Sequence, residues 1–210
     1  MAVHIQPSNV NPEDSSSRPS AAAPAISPGR VRLAGVLLAV GAAAWAAGTV
    51  IVGDKIQEGI QTLDSVTGML FVVGVFALVE VVLRTRGTGD RWGRVIPAGL
   101  LVLLPVAFLV NALSFGYATY DDFPPALLIL DASWPLSQIG MLVLGVAVAV
   151  TRRYQGALRW LPLLAGMWFP VSMVAQIVGG STVSVYVSAA WLLGTHSHIG
   201  IRLAASPRIV

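Results

Sequence analysis

Apolar runs of about twenty residues recur along this chain, and they constrain its fold more than any other feature. The first, "LAGVLLAVGAAAWAAGTVIV", carries no charge from Leu33 to Val52. A helix of roughly 20 such residues rises far enough to cross the ~30 Å hydrocarbon core of a bilayer. No water is available there, so each backbone N–H and C=O must be satisfied within the segment, and a helix does this. The runs predict helices over 31–53, 66–83, 95–115, 133–151, 160–178 and 182–201. Between the third and fourth, "PPALLILDASWPLSQ" holds only a short apolar stretch before Asp131. Residues 121–132 are therefore expected to be a loop that dips to the interface.

Composition excludes the main alternative. The chain is 55% hydrophobic and 11% charged, against about 25% charged for a soluble domain. A soluble fold of 210 residues could not hide that much apolar surface. Residues 1–29 differ: they are rich in Pro, Ser and Ala, show no periodicity, and read as a disordered tail. The apolar run after Arg30 and Arg32 lies too far from the start, and is too long, for a signal peptide.

Charge placement orients the helices. Arg30 and Arg32 precede the first; Arg84, Arg86, Arg91 and Arg94 lie between the second and third. Arg152, Arg153 and Arg159 lie between the fourth and fifth, and Arg202 and Arg208 follow the sixth. The alternate loops hold Asp54, Glu58, Asp64, Asp121, Asp122 and Asp131 against Lys55 alone. Under the positive-inside rule both termini are cytoplasmic. The expected fold class is thus an all-α membrane protein. It is a six-transmembrane-helix bundle over 30–203, with N- and C-termini cytoplasmic and a short tail at 204–210. The Ala/Val/Gly/Arg-rich composition fits a multi-pass protein of a bacterial plasma membrane.

A weak internal repeat accompanies this layout. "SVTGML" at 65–70 parallels "SQIGML" at 137–142. Arg94, Pro97, Pro105, Val106 and Asn111 recur with identical spacing as Arg159, Pro162, Pro170, Val171 and Gln176. Helices two and three would then be repeated as helices four and five, with Pro105 and Pro170 kinking both at one depth. Chance in a sequence of few residue types gives the same pattern.

Candidate chemistry is sparse. Cysteine is absent, which removes disulfides, thiolate metal sites and cysteine nucleophiles. His196 and His198 are two apart, about 200° on a helix, and point to opposite faces, so they cannot chelate one metal together. Their proximity to Arg202 suggests a place at the membrane edge. The remaining histidine, His4, lies in the tail. Glu80 is an acid inside a span, but Arg84 four residues on makes it half of an ion pair. Phosphate loops, dinucleotide fingerprints, zinc-protease motifs and nucleophile elbows are missing from the sequence, so no cofactor or metal is expected. Scattered basic residues give nucleic-acid binding no support.

Uncharged polar residues mark the candidate site. Asn111, Gln138 and Gln176 all fall in roughly the outer quarter of the bilayer, with Ser137 beside Gln138 and Asp131 in the loop above. An amide in lipid needs partners and so faces inward. Such groups act either as interhelical glue or as the wall of an outward-open polar pocket. Trp92, Trp134, Trp160, Tyr117 and Tyr120 sit at span edges as an aromatic belt, while Trp45, Trp168 and Trp191 lie deeper.

Three functions fit these residues. One binds or transports a small neutral, cationic or lipid-like molecule through the outer polar pocket, ligand-binding residues being Asn111, Gln138, Gln176, Asp131 and Ser137. The second is a non-catalytic accessory subunit docking its small-residue helices on a membrane protein partner. The third is a membrane enzyme using the outer aspartates. Membrane lipids are partners in all three.

Overall fold

The computed structural model describes residues 26–90 and 93–207. Most of the predicted tail, His4, Arg91, Trp92 and Arg208 lie outside them. The described chain is all-helical, with five helical segments long and apolar enough to cross a membrane.

Helix α1 spans Pro28–Val52 and starts earlier than expected, inside the stretch read as tail. Pro28 suits the first turn, and Ser27 Oγ caps it by accepting from the Arg30 N–H at 3.4 Å. Both faces are apolar, and the inward one is rich in small residues. Ala34, Gly35, Gly41, Ala42 and Gly48 are buried, whereas Leu33, Val40 and Ile51 are exposed. The small residues on the buried face let neighbouring helices approach closely around the larger Leu38 and Trp45, as suits a bundle that associates through close packing.

Helix α2 (Thr62–Arg84) packs along α1 more extensively than any other pair in the bundle. A Cβ placed on Gly41 would lie 2.5 Å from the Leu70 carbonyl oxygen, and one on Gly74 would lie 2.6 Å from the Leu38 Cα. The backbones touch there, so only glycine fits. Gly145 and Gly166 make the same reciprocal contact between α5 and α6, defined below.

Helix α3 (Val95–Ser114) follows, packed on α2. Pro105 sits inside it without breaking it. The segment expected as an interfacial loop is instead a 3-10 turn, Tyr120–Asp122, and a short helix α4, Pro125–Asp131. Thr119 and Asp122 cap the turn reciprocally, with Asp122 Oδ2 accepting from the Thr119 N–H at 3.1 Å. Pro125 opens α4 in the position where proline loses nothing. The α4 helix runs almost directly into α5 (Ser133–Thr151), which packs on α3.

The last third departs from simple spans. Helix α6 (Ala157–Gly166) ends one residue before α7 (Trp168–Leu192) begins. Pro170 explains the position: its ring displaces the carbonyl four residues back, that of Gly166. Pro105 and Pro170, expected to kink their helices alike, therefore act differently. Within α7, Gly180 has φ 76° and ψ −173°, a region open only to glycine. The chain doubles back there. Ser184 Oγ donates to the Ser172 carbonyl at 3.1 Å, and Trp191 Nε1 donates to the Leu164 carbonyl at 2.7 Å. A π-helical turn, Leu193–Ser197, leads into α8, His198–Ala205. Helix α8 returns to α1, where Gly35 and Gly200 approach backbone to backbone. The core runs through the ring α1–α2–α3–α5–α6–α8.

The two ends of the bundle differ in charge. At one, Arg32 Nε donates to the Ala204 carbonyl, Arg84 pairs with Glu80 at 2.7 Å, and Arg153 lies 3.6 Å from Asp90. Tyr154 is buried there, hydrogen-bonded to Thr85, and burial pushes its phenol up to about 12. At the other end, Thr182 Oγ1 donates to Asp54 and the Ile60 N–H donates to the Ala118 carbonyl.

Candidate functional site

The acidic end opens inward on two adjoining cavities. One, of about 280 Å³, is lined by Asp64, Asn111, Tyr120, Asp131, Trp134 and Gly68 together with Trp45 and Trp168. The other, of about 350 Å³, shares Trp45, Asp64 and Trp168 and is otherwise rich in hydroxyls, including Ser172, Ser181, Ser184 and Ser188, with Gln176 on its wall. Asp64 stands where the two meet.

Four elements assemble this junction. Trp45 comes from the middle of α1, Asp64 from the first turn of α2, Trp134 from the start of α5 and Trp168 from the start of α7. The Trp45 ring centroid is 5.5 Å from that of Trp134 and 5.0 Å from that of Trp168. Trp45 also stacks at 4.8 Å on Phe71, which holds it from behind. These separations fall in the range of favourable tilted aromatic pairs.

Asp64 is held by its neighbours yet left with capacity. Trp45 Nε1 donates to its Oδ1 at 2.9 Å, and Thr49 Oγ1 lies 3.5 Å from the same oxygen. No donor among the described residues reaches Oδ2, and no lysine, arginine or histidine among them pairs with the carboxylate. A half-buried carboxylate without a cation is costly, and an incoming positive charge relieves that cost. Trp168 Nε1 is buried and has no hydrogen-bond partner among the described residues. Tyr120, in the loop above, has its phenol pushed above the ordinary value, first by burial and then by the charges of Asp131 and Asp64.

The residues singled out in the sequence are distributed over this region. Asn111 and Asp131 line the first cavity and Gln176 the second. Gln138 is half-buried and lines neither. Ser137 is fully buried and turns its hydroxyl back to the Trp134 carbonyl at 2.7 Å. The three amides do not meet; an aspartate and three indoles occupy the centre. Asp64 was visible in the sequence only as one acid among six, and Trp134 only as a belt residue.

The histidines separate as their spacing requires. His198 is exposed and accepts from Arg202 Nε at 2.9 Å. His196 faces the interior of the bundle: it is 3% exposed, packed edge-on against Phe71 at 5.0 Å with Thr195 Oγ1 3.2 Å from Nδ1. The π turn carries one residue more per turn than an α-helix and so brings this ring into the core. Groups of three or more His, Cys, Asp or Glu side chains placed to hold a metal ion are absent among the described residues.

No known protein family, curated protein or solved structure matches this chain.

Proposed function

We propose that this protein binds a small organic cation at the acidic end of a six-helix transmembrane bundle, and delivers or carries it across the membrane. The observation that carries this reading is Asp64 among Trp45, Trp134 and Trp168. Indole faces are electronegative and attract an alkylammonium by about 0.5–2 kcal/mol each. A carboxylate supplies the counter-charge. The same wall repels anions, and indoles offer none of the six or more oxygens a hard metal ion requires. The acids around the opening, Asp121, Asp122 and Asp131, raise the local concentration of cations.

Length supports six crossings. The 38 residues of Trp168–Ala205 would run about 57 Å as one straight helix, nearly twice the hydrocarbon thickness. Reversal at Gly180 supports two crossings, 157–179 and 181–205, with the arginine-bearing end and both termini cytoplasmic. The α2–α3 and α5–α6 pairs, both antiparallel neighbours, are the two copies of a repeat in this reading.

The test is tryptophan fluorescence of the purified full-length protein titrated with tetramethylammonium at constant ionic strength, with sodium as the control cation. A saturable change that sodium does not compete away, and that weakens at least tenfold in Asp64→Asn, is expected. An unsaturable response, or equal responses to both cations, overturns the reading and moves the accessory-subunit function ahead.

A further inference from the structure

A second site lies at the opposite end, between α2 and α3, and owes nothing to the cation reading. A cavity of about 620 Å³ is lined by Glu80, Arg84, Arg86 and Arg94, with Phe76, Leu83 and Leu101 beneath them. Phe76 also borders a second cavity of about 280 Å³, wholly apolar, walled by Val72, Val73, Leu104, Pro105 and Phe108. Phe76 lines both, so a charged head and an apolar tail lie next to each other along the helix pair.

The head is built to receive a phosphate. Glu80 Oε1 accepts from Arg84 Nε at 2.7 Å, which fixes the guanidinium and leaves its two terminal nitrogens without a recorded partner among the described residues. Arg86 is held only loosely, 3.8 Å from Asp90. Arg94 directly precedes α3, whose first turn has no side-chain cap, so the positive end of that helix adds to the field. Three guanidiniums face one carboxylate in this cavity. Arginine forks match phosphate oxygens in geometry, and basic pockets between membrane helices favour anionic head groups. A free inorganic phosphate would satisfy the head and leave the tail unused.

We propose that the α2–α3 groove binds one phospholipid with an anionic head group. Its phosphate is held by Arg84, Arg86 and Arg94, and an acyl chain lies over Phe76 against Val73 and Leu104. The wall at Pro105 suits the chain. A proline ring presents no N–H, and it frees the Leu101 carbonyl four residues back, one turn nearer the head group.

The experiment is native mass spectrometry and lipid titration of the full-length protein in mild detergent. Probes are phosphatidylglycerol, phosphatidylcholine of the same acyl chains, and soluble glycerol 3-phosphate. One phosphatidylglycerol per chain is expected, bound at least tenfold more tightly than phosphatidylcholine or glycerol 3-phosphate. Each arginine near the surface contributes about a fivefold factor, so Arg84→Gln with Arg94→Gln lowers phosphatidylglycerol affinity by about 25-fold. Val73→Trp fills the tail and weakens both lipids. Unchanged helicity and an unchanged melting temperature in detergent report that each variant is folded. Equal binding of the two lipids, full binding by the double variant, or glycerol 3-phosphate matching the lipid overturns the site.

Discussion

Trp45 donates its indole N–H to Asp64 across 2.9 Å, joining the middle of α1 to the first turn of α2. The bond has two separable jobs. It orients the indole that forms one wall of the cavity, and it supplies the strongest donor to the carboxylate. Asp64→Asn keeps an acceptor for Trp45 and removes only the charge. Thermal stability is therefore expected to stay within about 1 kcal/mol of the parent. Tetramethylammonium affinity should fall about tenfold or more, the loss of a charged contact worth about 1.5–3 kcal/mol. Trp45→Phe keeps a smaller aromatic ring in the wall but leaves Asp64 with the long Thr49 contact alone, so it costs about 1–3 kcal/mol of stability and weakens binding less than Asp64→Asn does. Paired unfolding and binding curves for the two variants check this; matching losses in both assays would contradict it.

Tyr154 sets a high-pH limit on stability. Its phenol titrates at about 12 in the folded chain, against an ordinary value of 10.0. The neutral form is the one the fold favours. Its contribution is complete below pH 10 and is lost between pH 10 and 12, where the unfolded chain ionises first. Phenolate absorbance followed against pH should show one late step near 12, and Tyr154→Phe should delete that step. A step near 10 assigned to Tyr154 would refute the prediction.

Glycine substitutions should sort by what lies opposite. Gly41→Ala places a methyl 2.5 Å from the Leu70 carbonyl and should destabilise by about 1–3 kcal/mol. Gly180→Ala meets no neighbour but cannot adopt φ 76° with ψ −173° without strain of about 1–3 kcal/mol. Gly99→Ala, on the exposed face of α3 with nothing within 4 Å, should be neutral or stabilising. Detergent-solubilised melting curves give the ranking directly, and a Gly99 variant less stable than the Gly41 variant would overturn the packing described for α1 and α2.

Topology is testable because the chain has no cysteine. Single cysteines at Gly89 and Gln155 should react with an impermeant maleimide only after the membrane is opened. Those at Gln57 and Thr119 should react in intact cells. The reverse pattern at either pair would refute the six-crossing arrangement.

The sequence by itself determined that the chain is helical and apolar enough to cross a membrane, and which end of the bundle carries its arginines. Hydropathy over about 20 residues and charge in short loops are local quantities, so they survive without knowledge of neighbours. The Glu80–Arg84 pair was legible for the same reason, since helical geometry alone brings i and i+4 together. Asn111, Asp131 and Gln176 were singled out by expected depth, and depth says nothing about rotation around the bundle: Asn111 and Asp131 line one cavity and Gln176 the other. Only tertiary structure decided that Asp64 meets Trp45, Trp134 and Trp168, because those four residues come from four helices separated by up to 123 positions, 45 to 168. It also decided that Pro170 breaks its helix while Pro105 does not, and that a π turn carries His196 into the core. Each outcome depends on which backbone lies against which, and where glycines leave no room for a Cβ between two helices, that register is set by packing partners that no single segment encodes.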